Sequence, residues 1–533
     1  MLISSVIVKI ISAFYKIPLT AYIGAEGRGY FSVAYNLCLP IHAITMGALP
    51  IALTKLVSTA NAKNDMKSVY AFKSAAKKLF LIAGAVGTLI MLLIAKPYTS
   101  LIATSSGSAL TCLALAPSLF FSCACAVYRA YAEGFLDMKL TALSQLVEAL
   151  SKLIFGLVLA RMSMRFLYFF YLENGTVLGI IADSEEKALA MIYPITSAFA
   201  MFGATAGSVI AYLIAVIYNR INYPDNKVSK ADTKTAYSEL LNFSVSVIGA
   251  TAVQSIANFI DTSTVQYALS KCNAAALSEL YSYSGDDVHT YVFGIFATAL
   301  DFKNLIPSIV MALGVAAVPA LSTAFEGAQE GFSKLFESII KYSVILSSLG
   351  SVALMFFGDS ILLILFGKYN PDIAENGGRL LYLFGLTNLP FSVSSAVVYC
   401  TQALGFARQT IPCFAVSAAL RAVLNISLIR IDSFNVSGAV ISSFVGYSVI
   451  LVWCLLIITK RTNARLSITR AFLLPISSAA VTYFALDYIK MRNISFENIY
   501  INMAFYGLLC LIFFLLSLLL TKSLSFKEIK VNK

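Results

Sequence analysis

The chain has 533 residues, of which 59% are hydrophobic and only 12% charged, and it carries a net charge of +12. Soluble domains hold about 45–50% apolar and about 25% charged residues, so an apolar excess of this size needs lipid as its solvent. The basic residues are spread through short loops between apolar runs, which argues against nucleic-acid binding and fits the charge distribution that orients membrane proteins.

A spanning helix needs about 20 mainly apolar residues. In chain order this predicts fourteen spans, at 2–23, 30–57, 79–103, 108–131, 141–161, 188–218, 238–269, 290–321, 338–366, 377–403, 410–430, 435–459, 468–489 and 499–521. The first is short and carries two lysines, but it lacks a small-residue cleavage site and runs on through Pro18, so it reads as an uncleaved helix. Pro40, Pro50, Pro117, Pro194, Pro307 and Pro319 lie inside spans, where neighbouring helices or water must satisfy the freed backbone groups. The nine cysteines lie mostly in apolar runs and behave as small hydrophobes. Cys123 and Cys125 form the nearest pair, and no second pair or histidine cluster accompanies them, so no metal site is expected.

Loop charge predicts orientation. Lys63, Lys67, Lys73, Lys77 and Lys78 follow the second span, and Arg220, Lys227, Lys230 and Lys234 follow the sixth. Lys460, Arg461, Arg465 and Arg470 follow the twelfth, and Lys522, Lys527, Lys530 and Lys533 fill the tail. All fall on one side if there are fourteen spans, so both termini are expected in the cytoplasm. A weak repeat accompanies this pattern. Tyr128, Ala132 and Gly134 recur as Tyr399, Ala403 and Gly405 at a spacing of 271 residues, and Pro50 and Pro319 keep nearly the same register. Six crossings separate the copies, so the halves are expected to be parallel repeats with a cavity between them. The expected organisation is a six-helix lobe at 1–220, a second at 237–459, and two terminal helices with a basic tail at 460–533.

Five ionisable residues interrupt apolar segments of the first 152 residues: Lys9, Lys16, His42, Glu148 and Lys152. A charge at membrane depth costs about 2.5–3.5 kcal/mol on insertion scales, so such residues usually line a wet cavity or a substrate path. Lys9 and Lys16 are seven residues apart and share a helix face. Snorkelling to opposite interfaces is the alternative to a cavity role. His42 lies mid-span, where a carbonyl could equally satisfy it. Glu148 and Lys152 form an i,i+4 pair, read either as self-neutralising or as facing the cavity. Arg129, Glu133 and Asp137 recur every fourth residue and read as a solvated helix end. Asp261, Asp301 and Lys303 add charge to the second half, and Asp301 and Lys303 do not share a face. No phosphate loop, nucleophile elbow or His-Glu-x-x-His sequence appears, and the longest hydrophilic stretches are too short for a catalytic domain, so an enzyme is not expected.

Certain motifs are more specific. Tyr15-Lys-Ile-Pro-Leu19, Gly24-Ala-Glu-Gly27, Gly29-Tyr-Phe and Ala34-Tyr35 resemble the opening of the stage V sporulation protein B group. Tyr128-Arg-Ala-Tyr-Ala-Glu-Gly134, Asp137-Met138, Thr141-Ala142, Ser144-Gln145 and Glu148 resemble it more strongly. Asn258-Phe-Ile-Asp261-Thr, with Pro307 through Pro319-Ala-Leu-Ser322, extends the likeness into the second half. That group belongs to the polysaccharide-transporter branch of the multidrug/oligosaccharidyl-lipid/polysaccharide (MOP) exporter superfamily.

The resemblance implies an all-α membrane protein with two six-helix lobes and an alternating-access cavity lined by cations, similar to the MurJ-type lipid II flippases. Lys9 and Lys16 fall where the family has arginines in its first helix, His42 where it has an arginine pair, and Lys303 near an arginine of helix eight. Lys152 replaces a family basic residue one turn after Glu148. Lysine is a point charge where arginine is a bidentate fork, which puts tight pyrophosphate clamping in doubt. The chain also opens about ten residues later than the family usually does, which implies that an upstream basic patch of the family is missing from it.

The expected function is export of an undecaprenyl-pyrophosphate-linked saccharide, most simply lipid II, across a bacterial plasma membrane. The expected partners are that lipid-linked saccharide and membrane lipids, with the chain a monomer beside the wall-synthesis machinery. No cofactor is expected, and the drive could be membrane potential, H+ or Na+. The alternatives are another saccharide exporter or a cation-coupled drug antiporter of the superfamily, and more remotely a wall-assembly enzyme or scaffold.

Overall fold

The structure is a computed structural model that describes residues 2–47, 49–223, 230–285, 287–327, 329–494, 496–521 and 523. It is almost entirely helical. The elements in order are α1 (Leu2–Met46), α2 (Leu49–Ala62), α3 (Met66–Leu101), α4 (Ser108–Gly134) and α5 (Lys139–Asn174). A hairpin of β1 (Thr176–Val177) and β2 (Ile180–Ile181) leads to α6 (Glu185–Asn222), α7 (Lys230–Leu269) and α8 (Ala274–Leu280). Then come α9 (Val288–Lys303), α10 (Leu305–Gly327), α11 (Gln329–Phe366), α12 (Pro371–Ala403), α13 (Ala407–Leu428) and α14 (Ser437–Thr462). A π-helical turn at Thr469–Leu473 opens α15 (Leu474–Met491), and α16 (Ile499–Leu520) is the last helix.

This is an all-α integral membrane architecture. Twelve helical stretches among the described residues are long and apolar enough to span a membrane, close to the fourteen expected. Two features account for the difference. The stretch Phe14–Ala62 holds two expected spans, and α7, whose side chains at 245–251 lie outside the description, is not among the twelve.

α1 is two arms, not one rod. A continuous helix rises 1.5 Å per residue and would hold Tyr15 and Phe31 about 24 Å apart. Their ring centroids are 6.2 Å apart instead. The fold-back occurs at Gly24, whose φ of 65° and ψ of −174° are outside the helical region and suit a residue without Cβ. Residues 24–29, expected as a loop, are therefore helical apart from this one glycine.

Side-chain caps mark several starts: Asp65 accepts from Ser68 N at α3, and Ser184 from Lys187 N at α6. The β-hairpin was not expected. Leu178 and Gly179 both have positive φ, the backbone a tight two-residue hairpin turn needs.

The chain divides into two compact units, Met1–Gly294 and Ile295–Lys533. In the first, Leu53, Val57, Phe72, Phe80 and Tyr131 form a core shared by α2, α3 and α4. In the second, Val352, Leu486, Tyr506 and Phe514 join α11, α15 and α16. The six-helix lobes expected at 1–220 and 237–459 are a division by repeat. Compactness groups α7, α8 and the first turns of α9 with the N-terminal helices.

Candidate functional site

The charge-bearing face of α5 is set by how closely α6 approaches it. A Cβ on Gly203 would sit 2.3 Å from the backbone nitrogen of Gly156, and one on Gly207 would sit 2.8 Å from the Glu148 carbonyl oxygen. Gly156 in turn has the Tyr15 ring against it, and Tyr15 donates to the Ala200 carbonyl at 3.3 Å. Small residues that let backbones meet are the usual means of helix association in lipid, where burying apolar surface gives no drive. Their consequence here is to fix Glu148 and Lys152 relative to α1 and α6.

Glu148 pairs across helices as well as carrying the i,i+4 spacing to Lys152. Its Oε2 accepts from Arg129 of α4 at 2.8 Å, and Arg129 Nε donates to Ser144 Oγ at 2.7 Å. The Arg129 side chain is 15% exposed and that of Glu148 32%. Lys152 turns to the aromatic wall made by the two arms of α1. It hydrogen-bonds the Tyr35 hydroxyl, and its ammonium lies 4.6 Å from the Tyr35 ring centroid and 5.3 Å from that of Tyr15. His42, half-buried two turns beyond Tyr35 on the same arm, is in the field of both Glu148 and Arg129. The structure thus brings together His42, Glu148 and Lys152, and adds Arg129, Tyr15 and Tyr35.

Arg129, Glu133 and Asp137 are not a solvated helix end. Glu133 accepts from Thr141 at 2.6 Å, tying α4 to α5. Asp137 accepts from Tyr218 at 2.8 Å, from Tyr223 at 3.0 Å and from the Lys139 backbone N–H at 3.0 Å. Burial pushes the Asp137 carboxyl up, but those three hydrogen bonds outweigh it and hold the group below the usual carboxylate range. Arg129 was detectable: it lies inside the predicted span 108–131, in a run of small and aromatic residues.

The other candidates are placed as follows. Lys16 is half-buried beside Tyr15, and its carbonyl accepts from Thr20. Lys9 is in the helix, but its side chain lies outside the described residues. Asp261 is half-buried on α7. Lys303 belongs to the second unit and is 3% exposed. It sits over Phe391 at 4.3 Å, Phe384 at 4.7 Å and Tyr447 at 5.7 Å, with buried Arg421 stacked on the same Tyr447 at 4.8 Å. Among the described residues no group of three or more His, Cys, Asp or Glu side chains could hold a metal ion.

Solved structures share this architecture. MurJ, the lipid II flippase, in an inward closed conformation matches with a TM-score of 0.67, covering 97% of this chain and 97% of that one at 13% identity. An inward-facing multidrug resistance MATE transporter of the MOP superfamily matches with a TM-score of 0.62, covering 86% of this chain and 98% of its own at 14% identity. The fold is that of the MOP exporters.

Sequence comparison agrees. Residues 1–183 match the polysaccharide biosynthesis protein family. The lipid II flippase MurJ of Bacillus subtilis is 21% identical over 496 residues, covering 88% of this chain and 84% of that protein. Stage V sporulation protein B of the same organism is 19% identical over 363 residues, covering 66% and 63%. The chain resembles the polysaccharide-transporter branch of the superfamily, and the relatives and neighbours named here are flippases and transporters by name, apart from the sporulation protein.

Proposed function

We propose that this chain is a flippase that moves an undecaprenyl-pyrophosphate-linked cell-wall precursor, lipid II in the simplest case, from the inner to the outer leaflet of a bacterial plasma membrane. Both termini are then cytoplasmic. The observation that carries the reading is the treatment of charge on α5. Its carboxylate Glu148 is paired with Arg129 of α4, while Lys152 one turn away meets the Tyr35 hydroxyl and the Tyr15 and Tyr35 rings. A lysine presented to aromatic rings among apolar helices, beside an arginine shared by Glu148 and Glu133, supports a phosphate-bearing head over a cationic drug. A drug antiporter would want the opposite balance.

The physical task fits. A saccharide pyrophosphate cannot cross hydrocarbon, and lysine and arginine donors can replace the water around its phosphates while the prenyl tail stays in the bilayer. Lys9 and Lys16 are proposed to extend the same basic path along the first arm of α1, with Asp261 a candidate to modulate it. Lys303 is proposed for the same task by its charge. Alternating access is the working cycle, with membrane potential or an ion gradient as drive.

The test is depletion of the protein in a host without other flippases, followed by assigning accumulated lipid II to a leaflet. Accumulation in the inner leaflet, relieved by re-expression, is the expected result. Normal leaflet distribution on depletion would overturn the reading.

A further inference from the structure

Where the arms of α1 meet, the chain is gripped by the segment leading into α9. Glu26 is 2% exposed, and both its carboxylate oxygens are engaged. Oε1 accepts from the Tyr30 hydroxyl at 2.5 Å and Oε2 from the Tyr283 hydroxyl at 2.6 Å. The Tyr30 hydroxyl also lies 3.4 Å from Asp287 Oδ2. The backbones touch as well. A Cβ on Gly294 would sit 1.8 Å from the Ala25 carbonyl oxygen, and one on Gly29 would sit 2.2 Å from that of Thr290. Tyr283 stacks on Tyr291 at 4.1 Å, closing one side, and Tyr193 of α6 packs its ring against Gly24.

A tyrosine hydroxyl has one proton to donate, and the 2.5 Å contact with Glu26 takes it. The remaining approach of Tyr30 to Asp287 is then favourable when Asp287 carries a proton and can donate it. With Asp287 ionised, that half-buried carboxylate and the buried one of Glu26 face one hydroxyl, which like-charge repulsion and desolvation both disfavour. We propose that residues 24–30 form a carboxylate–tyrosine clasp with Tyr283 and residues 287–294, closed while Asp287 is protonated and released when it ionises.

Burial pushes the Asp287 carboxyl above the usual range, against the lowering effects of its hydrogen bonds with Thr290, of nearby His289 and of Tyr30. The other titratable or charged groups on the packed elements are Glu26 and Arg28 on α1, Tyr193 on α6 with Glu185 acting on it, and Tyr283. Asp286 adjoins Asp287 in the chain. His289 is turned to the Cys272 carbonyl oxygen, 3.2 Å from its Nε2. The sign follows from linkage. A carboxyl whose pKa is raised in the closed state favours closure below the ordinary carboxyl range, and that preference is lost as pH rises through the raised value. The clasp also accounts for the compact unit ending at Gly294, since these contacts bind the start of α9 to α1.

The test uses the full chain in membranes and does not depend on the identity of the substrate. Val288 is 2% exposed beside Asp287, so Val288→Cys should react with a thiol reagent only when the clasp opens. Labelling there is read by site-resolved mass spectrometry and divided by labelling at Ser282→Cys, an exposed position that corrects for thiol ionisation. The ratio should rise several-fold between acidic and mildly alkaline pH. Adding Asp287→Asn, which keeps a neutral donor in place, should hold the ratio low and flat. Hydrogen exchange of residues 287–294 in the chain without cysteine substitutions should show the same rise after correction for intrinsic rates. A ratio that is flat with pH in the parent, or an unchanged rise with Asp287→Asn, would overturn the clasp.

Discussion

Removing Arg129 tests the charge arithmetic of the site directly. Its guanidinium makes one charge-assisted bond to Glu148 at 2.8 Å and another to Ser144 at 2.7 Å. Hydrogen bonds to charged groups contribute about 1.5–3 kcal/mol each, and breaking a fully buried ion pair costs about 3–5 kcal/mol. With side-chain exposures of 15% and 32%, some of the stranded charge is solvated. Arg129→Gln should therefore cost about 2–3 kcal/mol, less than a fully buried pair would. Glu148→Gln should cost somewhat less, because arginine retains Ser144. The double variant should cost about 2–3 kcal/mol less than the sum of the two single variants, the coupling expected of a contacting charged pair. Reversible unfolding in mixed micelles measures all four corners. The transport readout separates the two roles of the pair. If it only neutralises itself, the double variant regains transport along with stability. If Arg129 contacts the pyrophosphate, stability returns and complementation does not. Costs that simply add would refute the pairing, and an Arg129→Gln variant as stable as the parent would refute the whole account.

Three further outcomes follow. Lys152→Met should abolish complementation of a flippase-deficient strain while protein level holds, and Lys152→Arg should retain it, because arginine keeps charge and aromatic stacking; equal activity of Lys152→Met and the parent would remove this residue from the path. Gly203→Leu should lower both the amount of folded protein and its thermal stability, since its side chain would enter the backbone of α5 at Gly156; near-parental stability would show that α5 and α6 can separate freely. Cysteine introduced at Lys67, in the exposed first turn of α3, should be labelled only from the cytoplasmic side, and labelling in intact cells by an impermeant reagent would invert the proposed topology.

The fold was legible because apolar runs of spanning length are unambiguous in a chain this hydrophobic. What sequence could not supply was local geometry. The segment 24–29 reads as a loop by its glycines, but the reversal needs only Gly24, and the helix resumes at once. The β1–β2 turn depends on a leucine with positive φ, a conformation its side chain does not advertise. At the site, charge in an apolar run singled out Lys152, Glu148 and His42 for a physical reason that holds in any fold. The i,i+4 rule compares residues on one helix only, so it could not show the partner that Glu148 has on another helix. The winning partner for Glu148 came from α4, nineteen residues earlier in the chain, brought close by packing. The same limit left Arg129 among the solvated charges, although it lies within a predicted span.

The way this chain seats its cations bears on what it can carry. Lys152 lies over Tyr15 and Tyr35, Lys303 over Phe384, Phe391 and Tyr447, Arg28 over Phe31, and Lys73 over Tyr131. An aromatic face attracts a desolvated cation by about 2 kcal/mol, enough to offset part of the cost of holding it among apolar helices. Unlike a carboxylate, the face carries no net charge, so the positive potential of the ammonium survives the contact. A phosphate approaching such a lysine does not have to displace the ring. A carboxylate partner would compete with the phosphate for the same protons. With tyrosine rings against Lys152 and Glu148 held by Arg129, the proposed function expects positive potential beside Lys152 on the α1–α5 face. That is the condition an anionic head group needs and a cationic drug does not. If Tyr35→Phe leaves Lys152 in place but Tyr35→Glu abolishes transport with normal protein level, the potential is the operative quantity. If Tyr35→Glu transports normally, positive potential on this face is not required.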